Sequence, residues 1–410
     1  TNMKAVVKPR PVEGKEWPVG LQIVDKPEPK IERPNDVIIQ VTAGAICGTD
    51  VGIYNSKESL RVQMTRALRD PVTVGHEFSG RIVDAGKQAR AHLARLVFEK
   101  SQKSSALKKL VRRKTARSLA SESTFLRFLE KQFFSTAEMH VTCGTCYQCL
   151  QGEFHVCRKT IIKGVHDDGA WAPYVKVPAE NMRLFFQREI PYEIISFMDA
   201  LGNATHTVMA APMKGRSVAV LGCGVQGLMA VAVAKWAGAR RIYVTDASHQ
   251  EFSHEKLVTR RFALAKMYGA DHCFDMAIAE ERGSFVETIL RETDQTGVDA
   301  ACEMSGSYRA YEDAARVIRM GGTFSLLGIP SGTLQVDFAK NIIFSGITVH
   351  GIIGRRVFQT WDQMEELLKS GLAKQLMKTG FVTHQLPLER YDEGFAAIRS
   401  GDAYKVLLKP

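Results

Sequence analysis

An α/β chain of two domains is expected: a doubly wound parallel sheet, and a β-rich domain interrupted by a basic helical insertion. Three observations predict it. From Val208 onward, short apolar strands alternate with helices, as in "SVAVLGCG", "GLMAVAVAKWAG", "RIYVTDAS", "VDAACEMSG" and "GTFSLLGIP"; this is how strand–helix–strand units of a parallel sheet read. Residues 4–45 instead read as strands broken by turns ("KAVVK", "LQIVD", "DVIIQVTAGAIC"), with Pro27, Pro29 and Pro34 in the connections. Between Lys87 and Cys143 there is no glycine or proline, and Leu93, Leu96, Val97, Leu107, Leu110, Val111, Phe125, Leu129 and Phe133 recur at helical spacing. Two or three amphipathic helices are expected there, with β texture resuming near Ala137.

With 410 residues the chain can bury two cores. The expected divisions are a β-rich catalytic domain over 1–202, a nucleotide-binding sheet over 203–348, and a C-terminal return to the first domain over 349–410. That return carries a helix at "TWDQMEELLKSG", another over 391–400 and a closing strand, "KVLLK". No apolar run approaches a membrane span, and "TNMKAVV" has neither a signal nor a transit pattern. A cytoplasmic protein is expected, with Met3 as the natural start. Its eight cysteines then point to metal or thiol chemistry rather than disulfides. Cys223, Cys273 and Cys302 stand among apolar or glycine-rich residues and are expected to fill core.

The net charge is +11, but thirteen Lys/Arg against three acids between Lys87 and Ser135 contribute +10 of it. The remainder is near neutral, so the basic character belongs to the insertion.

"VAVLGCGVQG" places Gly222, Gly224 and Gly227 as G-x-G-x-x-G between an apolar strand and a helix. Such a turn brings backbone close to a pyrophosphate, and the helix N-terminus offers it amide N–H groups. Asp246 ends the next strand nineteen residues after Gly227, where a carboxylate accepts the adenosine ribose hydroxyls and repels a 2′-phosphate. NAD is favoured over NADP. The long stretch "ASHQEFSHEKLVTR" that follows keeps NADP open, because His249, His254 and Lys256 could meet a phosphate.

"TCGTCYQCLQGEFHVC" spaces Cys143, Cys146, Cys149 and Cys157 as C-x2-C-x2-C-x7-C. Four thiolates complete a tetrahedral zinc shell and leave no place for substrate, so this cluster is read as structural. "GAICGTD" and "VGHEFSG" supply Cys47, His76 and Glu77, a mixed set able to hold zinc with a coordination place free. An alcohol there is acidified and expels hydride toward a nicotinamide. Thr49, two residues beyond Cys47, can pass the alcohol proton onward.

These motifs, together with "DALGNATHT", "EMSG", "LLGIP" and "GIIGRRVFQTW", occur in an order that resembles the zinc-dependent medium-chain alcohol dehydrogenase family, and within it the threonine-dehydrogenase branch. The resemblance covers about residues 3–86 and 137–410. It implies a GroES-like catalytic domain beside a Rossmann domain, two zinc ions per subunit, and Asp199 beside the catalytic zinc as fourth ligand or proton-relay carboxylate. For NAD it implies Gln226, Asp246, Arg261, Leu327, Gly328, Ile329, Ile352 and Ile353. It also implies a homotetramer that oxidises L-threonine to 2-amino-3-ketobutyrate. Sorbitol and 2,3-butanediol dehydrogenases are neighbouring possibilities for the substrate.

Two departures stand out. Where the family carries a relay histidine, three residues beyond Thr49, this chain has Gly52. The 87–135 segment replaces a short turn and strand. It is read as a helical elaboration packed on the catalytic domain, as a binding arm through "KKLVRRKTAR" for an acidic partner, nucleic acid or anionic membrane, or as a product of gene boundaries or engineering. A non-catalytic binding protein built on a dehydrogenase scaffold is the alternative of another class.

Overall fold

The computed structural model describes residues 1–113, 122–187 and 189–410. The chain forms two compact units, Thr1–Asp199 with Val382–Pro410, and Ala200–Phe381.

The first unit is built on a seven-stranded sheet. Along it lie Met182–Phe186, Phe133–Ala137, Glu77–Ala85, Asp36–Ala45, Lys405–Lys409 and Val382–Pro387, with Tyr174–Pro178 also pairing to Asp36–Ala45. A three-stranded sheet orders Gln22–Pro27, Asn2–Lys8 and Val72–Thr73. The strand Asp36–Ala45 is central because its residues are almost wholly buried: Val37, Ile39, Ala43 and Ala45 are shut from water. Its end carries Cys47, and its neighbour Glu77–Ala85 begins at Glu77, so two candidate ligands fall at the same end of paired strands, with Ala45 opposite Glu77.

Among its described residues the insertion forms three helices, Lys87–Lys103, Ser105–Arg113 and Glu122–Gln132. Ala89, Leu93, Val97 and Ser101 recur every fourth residue on the first and are all buried. Ala89, Leu93 and Val97 share one core with Val37, Ile39, Phe78 and Ile82 of the sheet, joined by Leu107, Phe125, Phe128 and Leu129. Each large apolar side chain so buried contributes about 1.5–3 kcal/mol. The insertion is therefore part of this core. Residues 114–117, the end of the basic run, lie outside the described residues.

One expectation is corrected here. Phe133–Ala137 is a strand that pairs antiparallel with Met182–Phe186 and bridges to the Glu77–Ala85 strand at Gly80. Strand structure resumes at Phe133 rather than near Ala137, because Phe133, Ser135, Thr136 and Ala137 have a sheet and a helical core to bury against.

The second unit holds six parallel strands in the order His272–Asp275, Arg241–Asp246, Ser217–Leu221, Val298–Glu303, Ile318–Leu326, Thr348–Gly351. Numbered by sequence this is 3-2-1-4-5-6, the doubly wound order whose reversal lies beside the first strand. Thr348–Gly351 completes this sheet by pairing with Ile318–Leu326. The sheet thus runs past residue 348, and the chain rejoins the first unit at Val382.

Among the described residues, no helix is long and apolar enough to cross a membrane.

Candidate active site and metal centres

The four-cysteine lobe forms from one short stretch. Cys143 Sγ and Cys157 Sγ are 3.6 Å apart, and Cys146 Sγ and Cys157 Sγ are 3.9 Å apart. Sulfurs bound tetrahedrally at about 2.3 Å from zinc sit about 3.8 Å from one another, so the spacing fits the ion. Backbone N–H groups of Thr145 and Cys146 point at Cys143 Sγ, and those of Cys143 and Lys159 at Cys157 Sγ. Those donors bring the Cys143 thiol down to about 5, whereas burial takes Cys149 up to about 12. No disulfide forms among the eight cysteines.

Cys47, His76 and Glu77 also converge, each offering a ligand atom within 4.8 Å of the others. Local geometry explains the arrangement. Cys47 caps the helix Gly48–Tyr54, with its N–H donating to Asp50 Oδ2 at 2.9 Å. Gly75, at φ 89°, turns the chain into His76, and a side chain there would collide with Trp171. His76 and Glu77 are buried, and Asp50 Oδ1 lies 3.6 Å from His76 Nδ1. Glu77 donates nothing and accepts on one side only: Lys405 Nζ reaches its Oε2 at 2.6 Å, while Oε1 is buried with no hydrogen-bond partner. A buried carboxylate oxygen without a partner is costly, and a cation between it, the thiol and the imidazole removes that cost. The donor set fits zinc.

The electrostatics agree. Burial, then Glu77, raises the Cys47 thiol. Burial opposes the His76 imidazolium, but Asp50 and Cys47 outweigh it and raise His76 well above its usual value. Burial lifts Asp50 to about 6. Burial likewise opposes the Lys405 ammonium, yet Glu77 and Cys47 hold it above its usual value.

Thr49 follows in the first turn of the Gly48–Tyr54 helix, half-buried. Asp199 is buried in the first turn of Met198–Met209 and joins Glu138 and His140 in a second cluster, with His140 Nδ1 2.9 Å from Glu138 Oε1. Asp199 also acts electrostatically on His76. Sequence reasoning missed Glu138 and His140, although a Glu-x-His just ahead of the lobe was a signal. At Gly52, where the resemblance would place a relay residue, an added side chain would meet the terminal methyl of Leu60, which would have to shift.

In the second unit, the glycine turn has the close packing the motif requires. Gly222 has φ 103°, and a side chain at Gly227 would strike Gly222 O. Gly224 caps the helix Val225–Trp236, and Gln226 Oε1 is buried without a partner. Asp246 Oδ2 accepts from Arg261 Nη1 at 2.8 Å, and the guanidinium lies over Phe252. Leu327 N–H and Gly328 N–H donate to Glu303 O, Ile352 N–H donates to Leu326 O, and Ile329 and Ile353 are exposed. Glu303 itself was missed: it is fully buried and accepts from the N–H groups of Ser305 and Gly306, tying the "EMSG" loop to the strand end. In the stretch after Asp246, His254 Nδ1 is engaged by Asp275 Oδ2 at 2.8 Å. Of the three cysteines expected in core, Cys223 and Cys302 are buried and Cys273 is half-buried.

Comparison with known proteins agrees with this fold. The family model described as "Alcohol dehydrogenase GroES-like domain" matches residues 33–109, and "Zinc-binding dehydrogenase" matches 226–370. An L-threonine 3-dehydrogenase of Bacillus velezensis is 37% identical over 409 residues, covering 100% of this chain and 99% of its own. One from Caldanaerobacter subterraneus is 35% identical over 393 residues, covering 95% and 96%. Among solved structures, 2R,3R-butanediol dehydrogenase from Bacillus subtilis superposes with a TM-score of 0.74 at 24% identity, over 100% of this chain and 99% of that one. The chain belongs to the zinc-dependent medium-chain alcohol dehydrogenase family, and its full-length similarity there is to L-threonine 3-dehydrogenases. It is an oxidoreductase that uses zinc and NAD.

Proposed function

We propose that the chain oxidises the secondary hydroxyl of L-threonine to a ketone, giving 2-amino-3-ketobutyrate and NADH. The observation that carries this reading is the convergence of Cys47 with the buried His76 and Glu77, whose carboxylate leaves one oxygen unpartnered; the full-length relatives named L-threonine 3-dehydrogenase support the substrate. In this reading Cys47, His76 and Glu77 hold the catalytic zinc, and Asp199 stands beside it. Cys143, Cys146, Cys149 and Cys157 hold the structural one. Zinc at the mixed site supplies Lewis acidity that favours loss of the hydroxyl proton.

The residues divide the remaining work. Asp50, whose Oδ1 lies 3.6 Å from His76 Nδ1, acts on the imidazole through charge rather than through a hydrogen bond. Thr49 accepts the hydroxyl proton and passes it toward water. The turn at Gly222, Gly224, Gln226 and Gly227 cradles the pyrophosphate, and Asp246 accepts the adenosine ribose hydroxyls while Arg261 holds it in place. Leu327, Gly328, Ile329, Ile352 and Ile353 line the nicotinamide end. NAD held by these residues would supply the hydride acceptor, taking the carbinol hydrogen with its C–H bonding pair, while the Thr49 hydroxyl would take the oxygen's proton as it releases its own toward water.

Self-association into a tetramer belongs to the same proposal. The edge strand Thr348–Gly351 exposes Val349, and Phe338, Ile343 and Phe344 are exposed nearby in sequence, a combination that supports burial against another copy. The cytoplasm is the proposed location. The insertion is read as an integral layer of the catalytic domain rather than an arm for nucleic acid, since its apolar stripe shares the sheet's core.

The test is NAD reduction by zinc-loaded protein with L-threonine, sorbitol and 2,3-butanediol in parallel. Threonine should be preferred by at least tenfold in kcat/KM. Preference for a polyol would overturn the substrate, and no turnover with any of the three would overturn the enzymatic reading.

A further inference from the structure

The ion pair between Lys405 and Glu77 calls for an explanation beyond stability. Lys405 opens the C-terminal strand, far from Glu77 in sequence, and its side chain is only 3% exposed; that of Glu77 is fully buried. Nζ donates to Glu77 Oε2 at 2.6 Å and to Ile46 O, next to Cys47, at 3.2 Å. Buried ion pairs seldom add stability over an apolar pair of the same size, because desolvation consumes the Coulomb gain. This pair also occupies one oxygen of a candidate metal ligand and leaves the other vacant.

The charges show what that occupation does. A thiolate at Cys47 and carboxylates at Glu77 and Asp50 bring three negative charges to a divalent cation. The Lys405 ammonium cancels the excess. Without it, the full charge of Glu77 would fall on the metal, which would then be held more tightly and would polarise an alcohol less. A carboxylate free at both oxygens could also take the coordination place the substrate needs.

We propose that Lys405 is a positioning residue that competes with the metal for Glu77, holding Oε2 back so that the ion stays Lewis-acidic and open to the alcohol. The inference rests on the assignment of Cys47, His76 and Glu77 as the catalytic zinc site. It assigns a chemical task to the C-terminal strand, whose Leu407 and Leu408 pair with Ala45 and Gly44 beside that site.

The experiment compares wild type, Lys405→Met and Lys405→Arg, all purified with zinc. Three quantities are read: the rate of zinc loss to a chelator, kcat and KM for L-threonine oxidation, and the visible spectrum after cobalt(II) replaces zinc. Lys405→Met should lose the mixed-site metal more slowly and show a lower kcat, each by roughly tenfold to a hundredfold, the range over which outer-shell partners act. KM for NAD should stay within about twofold. Its cobalt spectrum should differ from wild type, and Lys405→Arg should recover much of kcat. If Lys405→Met does not fold, Lys405→Gln, which keeps a donor for Ile46 O, is read the same way. Faster metal loss in the neutral variant would make Lys405 a structural counter-ion and overturn the proposal, as would unchanged metal loss and kcat. Zinc counting separates the premise: wild type should hold two ions and Cys47→Ser one, and any other count removes the site itself.

Discussion

The cysteine lobe and the mixed site are built on opposite plans. In the lobe, the four candidate ligands lie between Cys143 and Cys157, and local turns aim backbone N–H groups at the sulfurs. In the mixed site the candidate ligands are Cys47, His76 and Glu77; Asp50 adds a further carboxylate beside His76, and Lys405 from the far end of the chain is the cation that pairs with Glu77. Cys143, Cys146 and Cys47 are half-buried and Cys149 and Cys157 buried, while the mixed site's His76, Glu77, Asp50 and Lys405 are all buried. A closed set of like ligands needs only a short loop to hold it. An incomplete set in a dry site needs a whole domain to keep its charges in register, and that incompleteness is what leaves room for chemistry.

The largest effect should come from breaking the incomplete set. Cys47→Ser replaces a soft thiolate with a poor zinc ligand at the proposed catalytic site. Loss of several kcal/mol of transition-state stabilisation corresponds to a fall in kcat/KM of at least ~10³-fold. The lobe should keep its zinc, and the melting temperature should move by only a few degrees. The comparison fails if this variant keeps more than a tenth of wild-type turnover with threonine.

Cys146→Ser should do the reverse. Removing one of four sulfurs weakens a metal whose binding is folding energy for the lobe, with a cost of about 3 kcal/mol in unfolding free energy. Thermal melting followed with and without added zinc reads it. The mixed-site metal should remain, and kcat per zinc-loaded mixed site should fall by less than about fivefold. An equal loss of turnover in the two variants would mean that the sites do not divide as described.

The two sites were also unequally legible in the sequence. Cys143, Cys146, Cys149 and Cys157 announce themselves by spacing, because their geometry is made within fifteen residues. Cys47, His76 and Glu77 could be proposed from their glycine-flanked turns, but Lys405 could not. Nothing about "YKVLLK" says that its lysine is buried; only the pairing of its strand with Asp36–Ala45 brings it to Glu77. Asp50 was hidden in "CGTD" as an ordinary helix-start acid. Glu138 and His140 depend on where the chain leaves the Phe133–Ala137 strand, and that strand was itself missed because the basic insertion masked its pattern. The doubly wound sheet was easier, since alternation of strand and helix is a local signal. Its last strand was misassigned to the C-terminal return because a single edge strand of four residues carries little pattern.

The finest distinction lies in how the thiols ionise once metal is removed. In metal-free protein the N–H groups of Thr145 and Cys146 hold Cys143 down to about 5, while burial and Glu77 raise Cys47. Thiolate is the reactive form. Cys143 is therefore almost fully ionised at neutral pH, and its alkylation rate should be flat from about pH 8 to 6, falling only near 5. Cys47 stays mostly protonated there, and its rate should rise about tenfold for each pH unit as the medium becomes more alkaline, because the thiolate fraction below a raised pKa grows in that proportion. Iodoacetamide labelling resolved cysteine by cysteine with mass spectrometry measures both profiles, and added zinc should protect both residues. A flat Cys47 profile, or Cys47 reacting before Cys143 at pH 6.5, would show that the mixed site is already anionic without its metal and would remove the electrostatic contrast between the two sites.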